Sequence, residues 1–586
     1  MSTFRERAAR EIRDQRPSAT VTPIMRKLMA DSAATLGRGP LDARDRAAAA
    51  RAYAVDHLEE LHAQAREQFA RRGIGYHRAA TPAEAVATIR QLLGDAKRVA
   101  KSKSMVGEEI GLTHALRAAG IDLLETDIGE YIVDIEGRGP SHITAPALHL
   151  NRARIREMLE RTGAELPDDD PARLSRYVRD VVGEFFKDCD AGITGANAVV
   201  ASSGRIVIVE NEGNVSLGAS HPKLHIVITG LEKVVADEAG ALAILQVLAP
   251  SATAQPLTAF SHFLAGPAPG QERHVVFVDH GRSRILADPR YREVLKCIRC
   301  GACMNSCPVY RSAGGLSYGS PYMGPIGAII SPLLWRDGRY ADLPFASSLC
   351  GRCTEVCPVG IPLHRMLLDL RADAVSKGQV AGRPERLAWR AWAATMTGAT
   401  RARAASAMAR IGLHSFGRVV RPPGKHRDDP RLLPDPAAVH DVDLLIQASP
   451  GRAEAPIIAP GEVLPATLPG RFAHRAGQLG VTVVTEYEPR EGDRLLQATA
   501  AVAGTGSVLL TGDATDRRPL LAATRVVVRV DPATIVEHPA GLASYLGDGD
   551  ALILTGASRT ADVEKIIVRG IHGAEDLVVV LAPPEA

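Results

Sequence analysis

Cys297, Cys300, Cys303 and Cys307 stand in the run CIRCGACMNSCP, closed by Pro308. Thiolates spaced C-x2-C-x2-C-x3-C-P are the ligand run of a chain carrying two iron–sulfur cubanes, the fourth cysteine serving the other cubane. Three thiolates two residues apart can curl around three irons of one cage. The fourth lies past a turn, and the proline after it stops the local helical turn from continuing. Zinc and disulfides use the same sulfur atoms, but zinc sites favour two separated C-x2-C pairs. The spacing therefore points to [4Fe–4S] chemistry.

A partner stretch follows, with Cys350, Cys353 and Cys357 in SSLCGRCTEVCPVGIP. Aligned on its terminal C-x3-C-P it repeats the first run, except that Ser347 fills the first cysteine position. By the exchange rule, cluster 1 takes Cys297, Cys300, Cys303 and Cys357, and cluster 2 takes Cys307, Cys350 and Cys353. The fourth ligand of cluster 2 stays open between Ser347, another nearby group or water, and a [3Fe–4S] species; serine oxygen is a harder iron ligand than sulfur. Two such clusters in series form a path for single electrons.

The elements that must hold these loops come from a chain of 586 residues, too long for one hydrophobic core and expected to hold three or four domains. Its 46% hydrophobic and 23% charged residues are ordinary for a globular protein, and a net charge of +3 gives no reason to expect nucleic acid. Seven of the eight cysteines belong to the two runs, leaving Cys189 as an expected inert, buried thiol. Thiolates reserved for iron imply a reducing, cytoplasmic compartment. The N-terminal MSTFRERAAREIRDQ has no apolar stretch of a secretory signal, and no run of about 18 apolar residues predicts a transmembrane segment.

Residues 1–75 read as a helical region rich in Ala, Leu, Glu and Arg. Residues 76–288 alternate helical and apolar strand-like runs, which argues for an α/β domain on a largely parallel sheet. Residues 289–375 hold the two cysteine runs. Residues 376–438 form a basic helical segment and linker, with nine basic and no acidic residues from Arg386 to Arg427, Trp389 and Trp392 near its start, and Pro422-Pro423-Gly424 near its end. An anionic membrane surface or an acidic partner subunit suits it, the partner being preferred. Residues 439–586 form a second α/β region, with DVDLLIQA, VTVVTEYE, GSVLLTGD, TRVVVRVD, ALILTGAS and DLVVVLAP as strand candidates. NAVVASSGRIVIVENEGN and ATAAVAGTGSVLLTGDAT suggest an internal repeat with a shorter second copy.

Outside the cysteines, RVAKSKSMVGEEIG runs from a strand through Lys101, Ser102, Lys103 and Ser104 into a helix, a setting for a carboxylate or phosphate; a capped, solvated loop reads equally well. VENEGNVSLGASHPKLH gathers Glu210, Asn211, Glu212, Asn214, His221 and His225 after a strand, with Glu210 and His221 as catalytic candidates. The stretch can relay protons, bind a hydroxy acid or hold a hard metal, and it is also ordinary turn chemistry. Asp127, Glu130 and His142 carry the same ambiguity. Gly504-Thr505-Gly506 precedes its strand, the wrong order for a dinucleotide turn, and no Walker A motif occurs.

KSKSMVGEEIGLTHAL, ETDIGEYIVDI, VENEGN, HIVITGLEKVV and both cysteine runs, in this order, resemble the lactate-utilisation protein B family, iron–sulfur subunits of a system oxidising L-lactate to pyruvate. LTGASRTADVEKIIVRGIHGAEDLVVVLA, with Thr555, Ser558, Arg559, Thr560, Asp562, Glu564, His572 and Gly573, resembles the end of lactate-utilisation protein C. The resemblance implies two related Rossmann-like domains of coenzyme A transferase/sugar-isomerase-like fold, the second truncated, flanking an α-helical ferredoxin-type double-cluster domain. It also implies a cysteine-rich A-type partner subunit. It accounts for the three-cysteine second run, and leaves open a membrane-associated electron acceptor and a peripheral place at the inner face of the membrane. The rival readings are a coenzyme A transferase-like enzyme with Glu210 as nucleophile and structural clusters, and an assembly scaffold without a substrate.

Overall fold

A computed structural model describes residues 2–14, 17–380, 383–398, 401, 464–563 and 566–583. The strand expected at DVDLLIQA, the Pro422-Pro423-Gly424 linker, the basic segment beyond Arg401 and Glu564 lie outside the described residues.

Four helices open the chain, at Phe4–Asp14, Pro17–Gly37, Ala43–Asp56 and Leu58–Arg71. The third buries Ala43, Ala47, Arg51, Ala54 and Val55, a helical stripe that includes one arginine. Strands follow in chain order: β1 Ile74–Ala79, β2 Arg98–Lys101, β3 Asp122–Glu125, β4 Ala191–Gly195, β5 Ala198–Val200, β6 Ile206–Glu210, β7 Leu224–Gly230, β8 Val234–Val235, β9 Phe260–Leu264 and β10 Glu272–Val278. β7 and β10, LHIVITG and ERHVVFV, are buried along nearly their whole length, as strands covered on both faces must be. The first sheet runs β1-β10-β7-β4-β2-β3, all parallel.

The later strands are β11 Thr482–Val484, β12 Asp493–Gln497, β13 Ala500–Val502, β14 Ser507–Thr511, β15 Arg525–Val530, β16 Ile535–Val536, β17 Ala551–Leu554, β18 Arg559–Thr560, β19 Val568–Arg569 and β20 Asp576–Leu581. A second parallel sheet runs β11-β20-β15-β12 and repeats the β1-β10-β7-β4 order. Among the described residues it has no counterpart of β2 and β3: residues 80–190 separate β1 from β4, but only 485–492 separate β11 from β12.

The remaining long sheet reads β16-β13-β14-β17-β9-β6-β5-β8. From either end the sequence of pairings is one parallel, then two antiparallel, meeting at the antiparallel join of β17 to β9, where Leu552 lies opposite His262. The two copies therefore meet about a local pseudo-twofold, each completing the other's sheet edge. Residues 1–371 and 456–586 form one compact unit, so the N-terminal helices, both α/β copies and the cysteine loops share one body. Residues 372–455 form a second unit, in which the helix Arg383–Met396 exposes Trp389 and Trp392 with ring centroids 5.7 Å apart.

Candidate iron–sulfur centre

The two cysteine runs fold into loops of the same backbone shape. In the first, Arg299 and Gly301 flank Cys300 with φ of 62° and 79°; in the second, Leu349 and Gly351 flank Cys350 with φ of 57° and 79°. A non-glycine residue in the left-handed region is costly, so its occurrence at matched positions marks a wrapped loop held by its surroundings. The match extends to the first position. The Arg299 amide donates to Cys297 Sγ at 3.4 Å, and the Leu349 amide donates to Ser347 Oγ at 3.1 Å. Ser347 thus occupies the place that Cys297 holds in the first loop.

The thiols fall into two neighbourhoods. Cys300 and Cys303 each feel Cys297 and Cys357, whereas Cys353 feels Cys307 and Cys350. Burial, then the neighbouring thiols, pushes Cys353 up to about 11 and drives Cys303 further. Crowding buried sulfurs this way penalises the thiolates unless cations stand between them, and iron is such a cation. Backbone amides already point at the sulfurs: Ile361 N–H donates to Cys357 at 3.4 Å, and Cys303 and Cys307 accept from Ile326 and from Tyr310 and Val309. The donor set, its amide shell and the paired loops fit iron–sulfur ligation. Cys189 stands apart, buried, and pushed up to about 11 by burial and then by Asp190.

Around the first cysteine loop the α/β domain presents the C-terminal edge of its first sheet, where ligands of parallel sheets collect. Glu232 and Lys233 follow β7, His280 and Arg282 follow β10, and Glu109 ends the short helix Met105–Glu109 after β2. Arg282 grips Glu109 with Nη1 and Nη2, both at 2.7 Å, and reaches Glu232 with Nε at 2.5 Å. Tyr322 hydroxyl and His280 close on Glu109 at 2.6 and 2.7 Å. Arg299, from the cysteine loop itself, pairs with Glu232 at 3.1 Å and lies over the Tyr322 ring. Arg51 donates to the carbonyls of Glu232, Val234, Leu295 and Lys296, and Lys233 Nζ donates to the Cys297 carbonyl at 3.3 Å. Burial works to protonate Glu109, but Arg282 and the two hydroxyl and imidazole donors outweigh it and hold the carboxyl well below its usual range. Burial, then Arg299, pulls the Lys233 ammonium down to about 7.

Further along the same edge the sequence candidates separate into spent and unspent groups. Lys101 is fully buried and bound to both oxygens of Glu125 at 2.8 and 2.9 Å and to Glu108 at 3.4 Å; burial opposes its charge, but these carboxylates hold it above the ordinary lysine range. The Ser102 amide donates to the Ile193 carbonyl, and Ser104 caps the helix by accepting from Gly107. Lys103 Nζ and Glu130 Oε1 are buried without a hydrogen bond, 3.8 Å apart. Burial pushes Glu130 up to about 8, against the pull of Lys103.

Glu210 accepts from Val215 N–H, Ser216 and His262, so its oxygens are committed to the start of the helix Asn214–Ser220. Asn211 accepts from Ala259 N–H at 2.9 Å, and Asn214 donates to Thr126 at 3.3 Å. His221 caps that helix, and His225 is buried between Thr194 and Arg273. His142 accepts two backbone N–H bonds at Nδ1, which leaves Nε2–H to donate to Asn305 in the cysteine loop at 2.7 Å.

One grouping lay beyond sequence reasoning. Asp127, Glu212 and Asp562 bring carboxylate oxygens within 4.8 Å of one another. Burial, then its two acidic neighbours, drives Glu212 well above the carboxylate range. Asp562 belongs to the tail, whose other polar groups clasp the Glu-Asn-Glu-Gly turn: Ser558 Oγ and His572 N–H donate to the Glu212 carbonyl at 2.8 Å each, and Arg559 N–H donates to the Asn211 carbonyl at 2.7 Å.

Comparison with known proteins agrees with this division. Residues 62–286 match the LUD domain and residues 293–361 the 4Fe-4S dicluster domain, so the chain is a LUD-domain protein with an attached iron–sulfur region. It is 43% identical over 375 residues to Lactate utilization protein B of Bacillus cytotoxicus, covering 62% of this chain and 79% of that protein. It is 40% identical over 402 residues to the uncharacterized electron transport protein YkgF of Escherichia coli, covering 65% and 82%. The chain belongs to the lactate utilization protein B family. A crystal structure of a DUF162 family protein from Deinococcus radiodurans is similar over 38% of this chain and 98% of that one, with 18% identity and a TM-score of 0.22.

Proposed function

We propose that this chain is the iron–sulfur electron-transfer subunit of a cytoplasmic complex that oxidises L-lactate to pyruvate. The observation that carries the reading is the pair of matched cysteine loops, whose thiols fall into one set of four and one of three. Oxidation of lactate to pyruvate releases two electrons and two protons, and two clusters bound here would carry those electrons singly. Cys297, Cys300, Cys303 and Cys357 hold cluster 1; Cys307, Cys350 and Cys353 hold cluster 2, with Ser347 Oγ standing at its fourth position. Lys103 and Glu130, whose Nζ and Oε1 are buried without a hydrogen bond beyond the ends of β2 and β3, offer the α/β domain a place for a small hydroxy-carboxylate: an ammonium for the carboxylate and a carboxyl for the hydroxyl. A cysteine-rich A-type subunit supplies the partner, and among the described residues no helix is long and apolar enough to cross a membrane. The shared strand order of the two α/β copies supports reading them as variants of one coenzyme A transferase/sugar-isomerase-like fold, the second copy lacking the β2–β3 stretch.

Anaerobic purification with iron and sulfide analysis, followed by EPR of the dithionite-reduced protein, tests this. Two signals are expected, of which Cys303→Ala removes one and leaves the other. Ser347→Cys should leave a [4Fe–4S] second cluster in place, and Ser347→Ala should shift its spectrum. An iron-free or zinc-loaded wild-type protein would refute the reading.

A further inference from the structure

We infer that Arg51, Lys233 and Arg299 are the counter-charges of cluster 1: buried positioning residues that raise its reduction potential and favour its assembly. The inference rests on the iron–sulfur reading above and on a charge imbalance beside Cys297. Among the described residues, four buried cations, Arg51, Lys233, Arg282 and Arg299, cluster around two buried carboxylates, Glu109 and Glu232. Arg282 is saturated by both acids, and Glu232 is shared between Arg282 and Arg299. Three arginines against two carboxylates leave one positive charge without an acidic partner, and the Lys233 ammonium, held down to about 7 by burial and then Arg299, adds to it in part. Arg51 spends its donors on backbone carbonyls alone, and Arg299 Nη1 is buried with no hydrogen-bond partner. Uncompensated buried charge is among the most expensive features a fold can carry.

The anion these cations face is the cysteine site. Arg51, Lys233 and Arg299 each interact with Cys297, and Lys233 and Arg51 also hold the carbonyls of Cys297 and Lys296 at the entry to the loop. A cubane held by four thiolates is a net anion and becomes more negative by one charge on reduction. Fixed cations at its edge therefore favour the reduced state, and burial strengthens them by lowering the local dielectric. The second site has a sparser set among the described residues: Arg311 acts on Cys307 and Arg371 holds the Ser347 carbonyl at 2.7 Å, whereas Cys353 is influenced by burial, the thiols of Cys307 and Cys350 and backbone N–H groups. The two clusters are thereby set apart in potential, cluster 1 the higher.

The test compares Lys233→Met with Lys233→Arg in the full chain, purified anaerobically, by EPR-monitored redox titration of both signals, that of cluster 1 being the one Cys303→Ala removes. In Lys233→Met the cluster 1 midpoint should move to more negative potential while that of cluster 2 stays in place; in Lys233→Arg both should match wild type. Loss of cluster 1 in Lys233→Met with retention in Lys233→Arg would equally require the positive charge. An unchanged cluster 1 midpoint in Lys233→Met, equal movement of both clusters, or loss of cluster 1 in both variants would overturn the inference. Wild-type protein without iron would instead overturn the cluster reading on which it rests.

Discussion

Arg282→Met should destabilise the chain far more than loss of any exposed ion pair. Arg282 and Glu109 are both completely buried, the pair is bidentate at 2.7 Å, and the same guanidinium reaches Glu232 at 2.5 Å. Removing it leaves two buried carboxylates sharing Arg299, His280 and the Tyr322 hydroxyl. Breaking one partner out of a buried pair costs about 3–5 kcal/mol. Breaking an exposed pair such as Lys27–Asp31, whose side chains are 80% and 49% exposed, costs about 0.2–1 kcal/mol. Trp335 provides the readout, because its ring lies 4.8 Å from that of His280, which itself contacts Glu109. The chain has three tryptophans, so a Trp389→Phe, Trp392→Phe background leaves Trp335 as the single emitter. Urea unfolding followed by its fluorescence should show the full loss for Arg282→Met and a small one for Lys27→Met. The loss depends on pH. Glu109 is held below its ordinary range in the folded protein, so its contribution is present above the unfolded carboxyl value of about 4.3 and is lost as pH falls through the folded value. In Arg282→Met the unpaired carboxyl takes up a proton more readily, so the penalty should be largest near neutrality and shrink towards pH 4. A penalty under about 1 kcal/mol at pH 7 would refute the assignment of this network as the domain's buried anchor.

Two further outcomes follow from close contacts elsewhere. Glu212→Gln should stabilise the protein by about 1–2 kcal/mol at pH 8, because burial and then Asp127 and Asp562 raise the Glu212 value, and an ionised group so raised destabilises the fold above its unfolded value. Thermal melts across pH should show that gain vanishing in acid, and a loss at every pH would sink the argument. Gly213→Ala places a Cβ 2.1 Å from the His572 carbonyl at a φ of 96°, so a cost of about 1–3 kcal/mol is expected, with faster limited proteolysis in the tail around residues 555–575. Unchanged melting and cleavage would show that the tail does not depend on this close approach.

What the sequence made legible was local. The cysteine spacing encodes a loop shape within a dozen residues, and Ser347 could be placed by counting. Lys101 to Ser104 shows the opposite case. Its residue types suit an anion, but Lys101 is consumed by Glu125, and a pairing 24 residues away across two parallel strands leaves no mark in the run itself. The Asp127–Asp562 approach is further out of reach, since it depends on how the tail folds over the Glu-Asn-Glu-Gly turn. Arg51 sits on the stripe of Ala43, Ala47 and Ala54, and a charged residue on the buried face of an alanine-rich helix calls for a buried partner. The likeness of the two apolar hairpins was visible as text; the β9–β17 join was not, because a strand's letters do not name the edge it will meet.

The pseudo-twofold gives that join a functional meaning. Only the first copy keeps the stretch between β1 and β4, residues 80–190, and that stretch carries Lys101, Lys103, Glu109, Asp127 and Glu130. The second copy has dispensed with it but retains β13, β14, β16 and β17, the strands that continue the long sheet. Without β17, strand β9 would be an open edge with His262 at its centre, and the Glu210–His262 contact that fixes the start of the helix Asn214–Ser220 would face solvent. Arg517, from the second copy, closes the other side of His262 at 3.3 Å. The second copy thus covers the first: among the described residues it lacks a counterpart of β2 and β3, and it supplies the strand that pairs with β9 and the Arg517 side chain that closes over His262.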